Sequence, residues 1–559
     1  MKLLKFYQFF RTPICLLLAV GGLFFGISDG LTKAKTCDKT PTGVEAEDYF
    51  LSFKTENMPD KDLNGLDAEI RVHRVKPVYA NGKCPGVINH AAVLVHGRAA
   101  GSNVTFDVQL PDLSSTQELL ASAGIDTFAP DLLGYGYSSR LSMDDPCNAS
   151  YPGCVAQVNG SCPANAPNFI ASANACSASP VGCDRSPNPA SGALDQQRKP
   201  DAAAGPGDGV RVNPLNHQPN ELCPHSSNFH FANNDVWARD IIQVIEDAIE
   251  KATPHGNKVV LIGYSLGGVR VARTLYLLGQ ETDHLVRRVV FWSSLFNRTL
   301  SGANVVDDTV PTEENDPSAV FPTFPLQLGG FGDLTALRGT ADHVKFCGGN
   351  PSTAIPDPSR YAPGTSSLFR QQHRDLEDPT KDPRYPNGDW QDLFGLEWGG
   401  TLFGSPTGLN RVPTFTRYGW NPEIAHTFTL PTLILNGLDD NLAIVENSTN
   451  IFNELTSVAN KVLVQVDCAG HQMQSEICGA DGDGDGVACE PGERCCQAAP
   501  GTIYGTDSGT WAGPHSTVAA ALIEWVKYGT FDHSECGRFL VDASGVPSEV
   551  PTANCPVLP

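Results

Sequence analysis

Hydrophobic residues recur along the chain in short runs of strand length, and several of these runs end in glycine, asparagine or aspartate. Helical patterns, with apolar residues three and four positions apart, follow several of the runs, as in the amphipathic stretch from Trp237 to Ile249. Strands that alternate with helices predict a mostly parallel central sheet flanked by helices, an α/β fold. The predicted strands are Ala91 to Val95, Asp126 to Ala129, Val259 to Ile262, Val289 to Trp292, Thr432 to Leu435 and Val462 to Val466.

Two long stretches interrupt this alternation. Residues 140–233 hold six cysteines among proline, serine, asparagine and glycine, which predicts an insertion closed by disulfides among its own cysteines. Residues 300–428 are rich in proline, glycine and aspartate. Ordered loops of this length are uncommon unless they act as lids or binding elements, so we expect two lid or cap insertions over the carboxyl end of the sheet. The remaining segments are core parts at 29–139, 234–299 and 429–536, and a C-terminal tail at 537–559.

The N-terminus has the pattern of a secretory signal peptide. Basic residues precede the apolar run from Ile14 to Ile27, and a cut after Ser28 would follow small residues at positions 26 and 28. An uncleaved anchor is the alternative. Removal of residues 1–28 leaves sixteen of the seventeen cysteines, an even number that suits full disulfide pairing in an oxidising compartment. We therefore expect a secreted protein, extracellular or periplasmic, with no transmembrane segment after cleavage.

The net charge disfavours nucleic acid as a partner, and the length limits the number of domains. The chain has 39 basic and 62 acidic residues, a formal net charge of −23, so a nucleic acid would meet mainly repulsion. At roughly 150 residues per domain, 559 residues allow two to four domains or one large domain with long insertions. The sequence leaves the oligomeric state open.

A Gly-x-Ser-x-Gly motif lies between a predicted strand and a predicted helix. Gly263 to Gly267 follows the apolar run that ends at Ile262, and a helical pattern continues from Val269. The glycines permit a tight turn at which larger side chains would collide, so Ser265 is presented at the carboxyl end of the sheet. In this context the motif predicts a nucleophilic serine.

A serine nucleophile needs a base to take its proton and an acid to orient that base. Asp440 follows the predicted strand Thr432 to Leu435, three residues after a glycine, and His471 follows the strand Val462 to Val466. Asp439 is an alternative acid, although the spacing from the glycine favours Asp440.

His515 is an alternative base. It lies where we expect the last helix to begin, so we expect it to cap that helix or lie at the surface, and we favour His471 as the base.

The order Ser265, Asp440, His471 is that of the α/β-hydrolases, and the chain resembles this superfamily beyond the three residues. His96-Gly97-Arg98 resembles the oxyanion loop of the family, and the stretch from Asp131 to Ser138 resembles its Asp-x-x-Gly-x-Gly-x-Ser segment. The resemblance implies an α/β-hydrolase fold and an oxyanion hole made by the backbone N–H groups of Arg98 and Leu266.

The resemblance and the serine together imply acyl transfer to water. Because an alkoxide leaves more readily than an amine, we expect a carboxylesterase or lipase acting on a small-molecule or lipid ester, with no cofactor needed for catalysis. A secreted peptidase or amidase of the same fold is the alternative. A catalytically inactive binding protein on this fold is a third hypothesis, which the filled triad positions disfavour.

A separate acidic motif follows the histidine segment. Aspartates at alternate positions before glycine allow a tightly turning loop to bring several oxygen ligands together, as calcium prefers. The segment resembles the short Asp-x-Asp-x-Asp-Gly-x-x-Cys-Glu calcium motif of exported bacterial proteins, with a solvated acidic loop as the alternative. We expect a structural Ca²⁺ bound by Asp481, Asp483, Asp485 and Glu490.

Overall fold

The structure is a computed structural model. It describes residues 40–56, 64–80, 82–83, 88–97, 101–107, 114–133, 135, 137–139, 212–213, 218–219, 234–296, 349–350, 355–356, 420–440, 443–477, 504, 513–551 and 555. The predicted signal peptide, most of both predicted insertions, Arg98 and the acidic loop therefore lie outside the described residues.

The centre of the fold is one ten-stranded sheet in the order β1-β2-β4-β3-β5-β6-β7-β8-β9-β10. Strands β3 to β9 are parallel where they pair, whereas β1, β2 and β10 join antiparallel. The strands are β1 Gly43–Lys54, β2 Asp67–Val78, β3 His90–Val95, β4 Ile125–Pro130, β5 Val259–Tyr264, β6 Val286–Trp292, β7 Thr432–Gly437, β8 Lys461–Val466, β9 Gly537–Val541 and β10 Pro547–Val550.

Helices cover both faces of this sheet. They are α1 Ser102–Phe106, α2 Thr116–Ser122, α3 Asn234–Ala252, α4 Leu266–Leu278, α5 Thr282–Leu285, α6 Pro422–Ala425, α7 Val445–Glu454 and α8 Pro514–Tyr528. Short 3₁₀ turns lie at His255–Asn257, Gly279–Glu281 and Met473–Ser475, and two-residue strands pair at Val212–Asn213 with Gln218–Pro219 and at Gly349–Asn350 with Ile355–Pro356. No helix among the described residues is long and apolar enough to cross a membrane.

The side chains of each central strand alternate between two hydrophobic cores, as strand geometry requires. Val93 packs in one core with α3, α4 and α7, whereas Leu94 packs in the other with α2 and α8. Both faces of the parallel strands are therefore buried, which explains why these strands read as continuous apolar runs. The predicted α/β fold with a mostly parallel sheet is confirmed, and each of the six predicted strands is present.

The C-terminal segment differs from the prediction. Residues 537–559, expected to be a tail, begin with β9, which pairs parallel with β8, and continue with β10 at the edge of the sheet. A disulfide joins Cys536, directly before this segment, to Cys555 within it. The prediction was wrong because the apolar run of this strand, Phe539 to Val541, is only three residues long, shorter than the runs that mark the six predicted strands.

The end of the second predicted insertion also belongs to the core. Trp420 is fully buried, and its ring stacks on Phe291 of β6 and on Phe428, with centroids 4.7 Å and 4.9 Å apart. The described part of the 300–428 segment therefore returns to the sheet by about residue 420, before the predicted boundary. The boundary was predicted too late because the segment is rich in proline and glycine throughout and has no apolar run before the strand that begins at Thr432.

Candidate active site

Ser265 lies at a sharp turn between β5 and α4. Its backbone has φ 55° and ψ −123°, a conformation that a residue with a Cβ rarely adopts and that costs free energy. The Ser265 N–H donates to the carbonyl of Trp292 at 2.8 Å, which fixes the turn to the neighbouring strand β6. This is the strand-turn-helix geometry expected of the Gly-x-Ser-x-Gly motif.

The flanking glycines are required by close backbone contacts. A Cβ built at Gly263 would lie 2.6 Å from the Gly267 carbonyl oxygen, and one built at Gly267 would lie 2.1 Å from the Val95 carbonyl oxygen. Contacts this short essentially never occur with real Cβ atoms. A larger residue at position 263 would therefore push the start of α4 away from β5, and one at position 267 would push it away from the end of β3. The glycines thus allow α4 to begin directly against the sheet.

The structure brings Ser265, His471 and Asp440 together in a hydrogen-bonded chain. Ser265 Oγ lies 3.0 Å from His471 Nε2, and His471 Nδ1 lies 2.8 Å from Asp440 Oδ2. Asp440 is fully buried and His471 is 4% exposed. The Asp440 carboxylate accepts a hydrogen bond from the Nδ1–H of His471. The lone pair at Nε2 therefore faces the serine hydroxyl and can accept its proton.

Asp440, rather than Asp439, reaches the histidine. The second carboxylate oxygen of Asp440 accepts the Ala443 N–H at 2.8 Å, which holds the side chain in the turn after β7. The Asp439 N–H donates to the Ala469 carbonyl at 2.9 Å, so the backbone of Asp439 ties this turn to the segment before His471.

The turn that carries His471 is held by a buried glutamate. Both carboxylate oxygens of Glu476 accept the Gly470 N–H, at 2.9 Å and 3.0 Å, directly before the histidine. The hydroxyl of Tyr264 donates to the His471 carbonyl at 3.2 Å. Sequence reasoning missed Glu476, although an acidic residue five positions after the histidine in a turn of otherwise uncharged residues was a visible signal.

His515 lies at the first turn of α8 and is buried rather than at the surface. Its Nδ1 donates to the Gln474 carbonyl at 2.5 Å, and its backbone N–H donates to the Glu476 carbonyl at 3.0 Å. Burial lowers the pKa of His515, so the ring is neutral at neutral pH. Through these contacts His515 binds the backbone of the turn that carries His471, and it makes no hydrogen bond to Ser265 in the described structure.

Of the two predicted oxyanion donors, the structure describes Leu266. It is the first residue of α4, where a backbone N–H has no acceptor within the helix, and it directly follows Ser265. Arg98 lies outside the described residues. The preceding Gly97 lies against the nucleophile, since a Cβ built there would be 2.9 Å from the Cβ of Ser265.

Asp131, the first residue of the Asp-x-x-Gly-x-Gly-x-Ser segment, follows β4 and binds the start of α1, which comes after the loop that begins at Gly97. The buried Asp131 carboxylate accepts both the backbone N–H and the hydroxyl of Ser102 at 2.7 Å, and it pairs with Arg71 Nη1 at 3.0 Å. Arg71 and these hydrogen bonds from Ser102 lower the pKa of Asp131 against the effect of burial. Asp131 therefore remains a carboxylate that joins β2, β4 and the start of α1.

Comparison with known proteins identifies the family. Residues 92–476 match the family model described as alpha/beta hydrolase fold, so the chain belongs to this family. No curated protein matches the sequence.

Solved structures that resemble the chain include two esterases and one other hydrolase. The 2-hydroxy-6-oxo-6-phenylhexa-2,4-dienoate hydrolase from Rhodococcus sp. strain RHA1 is 14% identical, with 77% of this chain and 95% of that chain covered and a TM-score of 0.34. The esterase from Exiguobacterium antarcticum is 12% identical, with 74% of this chain and 92% of that chain covered and a TM-score of 0.30. The thermophilic esterase from Thermogutta terrifontis is also 12% identical, with 76% of this chain and 93% of that chain covered and a TM-score of 0.32.

Proposed function

We propose that the protein is a secreted serine hydrolase that cleaves carboxylic esters through an acyl-enzyme intermediate. The observation that carries the proposal is the Ser265–His471–Asp440 chain, with hydrogen-bond distances of 3.0 Å and 2.8 Å at a strained turn. In this proposal Ser265 attacks the ester carbonyl while His471 Nε2 takes the hydroxyl proton. Asp440 holds the imidazole in the required tautomer and stabilises its cation.

The rest of the cycle follows from the same groups. Negative charge develops on the carbonyl oxygen as Ser265 attacks, and we assign the stabilising N–H groups to Leu266 and Arg98. His471 then gives its proton to the departing alkoxide, which leaves an acyl group on Ser265. A water molecule activated by His471 releases the acid and restores the serine, so the cycle requires no bound cofactor.

A panel of chromogenic substrates tests the choice between esters and amides. We expect hydrolysis of p-nitrophenyl esters and, relative to them, little hydrolysis of aminoacyl-p-nitroanilides, because an amine is the poorer leaving group. Esters of graded acyl length would define the preferred substrate. Turnover of an anilide at an efficiency comparable to the best ester would favour the alternative peptidase or amidase, and turnover of neither class would favour an inactive binding protein.

We also propose that the acidic loop binds Ca²⁺ through Asp481, Asp483, Asp485 and Glu490, all of which lie outside the described residues. The support is the sequence pattern of alternating carboxylates before glycine. The loop begins ten positions after His471, so a bound ion would stiffen the chain downstream of the proposed base. The ion is proposed to stabilise the fold without a part in the chemistry.

Calcium removal should lower the melting temperature, and added calcium should restore it. An ion that binds only the folded state stabilises it by about 2.7 kcal/mol at a hundredfold excess over Kd. We expect Asp483→Ala to abolish this calcium response, while Asp507→Ala, a nearby aspartate outside the motif, retains it. Identical melting curves with and without a chelator would reduce the motif to a solvated acidic loop.

A further inference from the structure

The residue directly before the nucleophile also contacts the proposed base. Tyr264 is the last residue of β5 and is 5% exposed. Its hydroxyl donates to the backbone carbonyl of His471 at 3.2 Å. Its ring lies beside the imidazole, with the ring centroids 5.2 Å apart and an angle of 39° between the planes. The side chain of Tyr264 therefore contacts His471, while its backbone leads into Ser265.

The sheet and neighbouring aromatic rings hold Tyr264 in place. Its backbone lies opposite that of Trp292, where β5 and β6 pair in parallel. The centroid of its ring lies 5.0 Å from that of Trp292 and 6.5 Å from that of Phe106, and the Phe106 contact is edge to face. Aromatic pairs of this kind prefer defined arrangements of the two rings. The hydroxyl is therefore presented to the His471 carbonyl from a packed part of the core.

Three contacts hold His471 from different directions. Glu476 accepts the N–H of Gly470, the residue before the histidine. Tyr264 donates to the histidine carbonyl, and Asp440 accepts a hydrogen bond from Nδ1. Of these three partners, Tyr264 alone lies on the strand that leads into the nucleophile. It therefore ties the position of the base to the position of the serine.

A fixed carbonyl limits the movement of the imidazole. The carbonyl carbon and Cβ of His471 are bonded to the same Cα, so rotation about the N–Cα bond moves both together. A donor that holds the carbonyl therefore also restrains Cβ and, through it, the ring. Nε2 lies at the outer end of this ring, 3.0 Å from Ser265 Oγ, so a small swing at Cβ becomes a larger displacement at Nε2. Proton transfer between the two groups depends on this distance.

We propose that Tyr264 is a positioning residue that couples the base to the nucleophile. Its backbone places Ser265 at the end of β5, and its hydroxyl holds His471 so that Nε2 stays within hydrogen-bond distance of the serine. The Gly-x-Ser-x-Gly motif allows any residue at this position, so the motif alone does not assign the role. The inference rests on the proposed serine hydrolase function.

Kinetics of Tyr264→Phe on the best ester test the proposal, because this change removes the hydroxyl and keeps the ring. His471 transfers a proton in both acylation and deacylation, so kcat should fall while KM changes little. We expect kcat to fall about 3- to 15-fold, the effect of one lost hydrogen bond, with KM within about twofold of wild type. End-point labelling with a fluorophosphonate counts functional sites, and kcat per labelled site should show the same loss.

Tyr504→Phe is the matched control. Tyr504 is also buried, and its hydroxyl donates to Glu524 Oε2 of α8 at 2.7 Å. We expect this variant to have a lower melting temperature, with kcat and KM within about twofold of wild type. A fall in kcat that is confined to Tyr264→Phe would thus reflect the contact with His471 rather than the general loss of a buried hydroxyl.

A double variant asks whether Tyr264 acts through His471. Without the imidazole the hydroxyl has no base to position, so the addition of Tyr264→Phe to His471→Ala should change the residual rate by less than about twofold. A hydroxyl that acted on the substrate or on the elbow itself would lower the residual rate by the same factor as in the wild-type background. Such additive losses would overturn the inference.

A Tyr264→Phe protein with kcat per labelled site within about twofold of wild type would also overturn the inference, as would a rise in KM at unchanged kcat. Equal losses of kcat in Tyr264→Phe and Tyr504→Phe would assign the effect to burial alone and would contradict it too. A wild-type protein that hydrolyses no ester and accepts no fluorophosphonate would instead contradict the proposed function, so the two failures can be told apart.

Discussion

Replacement of Ser265 by alanine should reduce kcat by about 10⁴- to 10⁶-fold. The serine hydroxyl is the only nucleophilic group that the described structure brings to His471 Nε2, at 3.0 Å, and alanine leaves the elbow without a group to acylate. The backbone strain at φ 55° remains after the substitution, since alanine also carries a Cβ. The expected result is therefore a folded protein without hydrolytic activity.

Steady-state rates on the best ester, with melting curves of both proteins, measure this effect. Ser294→Ala is a suitable control, since Ser294 is a buried serine beside the elbow whose hydroxyl donates to the Leu295 carbonyl at 3.0 Å. We expect that variant to retain most of the wild-type rate. A Ser265→Ala protein with a rate within about tenfold of wild type would mean that another group performs the attack.

Replacement of His471 by alanine should cost about 10⁴-fold or more in kcat, and replacement of His515 should cost far less. His471 contacts both Ser265 Oγ and Asp440 Oδ2, whereas His515 donates to the backbone carbonyl of Gln474. The two histidines are both buried, so the comparison controls for the loss of a buried imidazole. Melting temperatures should show a stability loss for His515→Ala, because that variant leaves the Gln474 carbonyl without this donor.

The reverse ranking of the two histidine variants would assign the base to His515. Equal losses would indicate that the measured effect is structural.

The parallel strands and the elbow could be predicted from the sequence because each leaves a local pattern. Strands buried on both faces are continuous apolar runs, and the turn at Ser265 requires glycines at fixed positions. The choice of Asp440 over Asp439 followed from the same kind of local spacing. Strand β9 was missed because its apolar run, Phe539 to Val541, is only three residues long.

The supporting contacts of the site could not be predicted, because their partners are distant in sequence and are mostly backbone atoms. Tyr264 donates to a carbonyl 207 positions away, and the Gly-x-Ser-x-Gly motif allows any residue at its position. The burial of His515 depends in the same way on the turn at Gln474, 41 positions earlier. Backbone acceptors carry no sequence signature, so only the folded arrangement identifies these residues.

The most direct test of the account is to find the residue that forms the covalent adduct. The full-length protein would be treated with a fluorophosphonate, digested, and analysed by peptide mass spectrometry, alongside Ser265→Ala. We expect one adduct of the probe on the peptide that contains Ser265, and none in the variant. An adduct on another residue, or equal labelling of the variant, would contradict the assignment of Ser265 as the nucleophile.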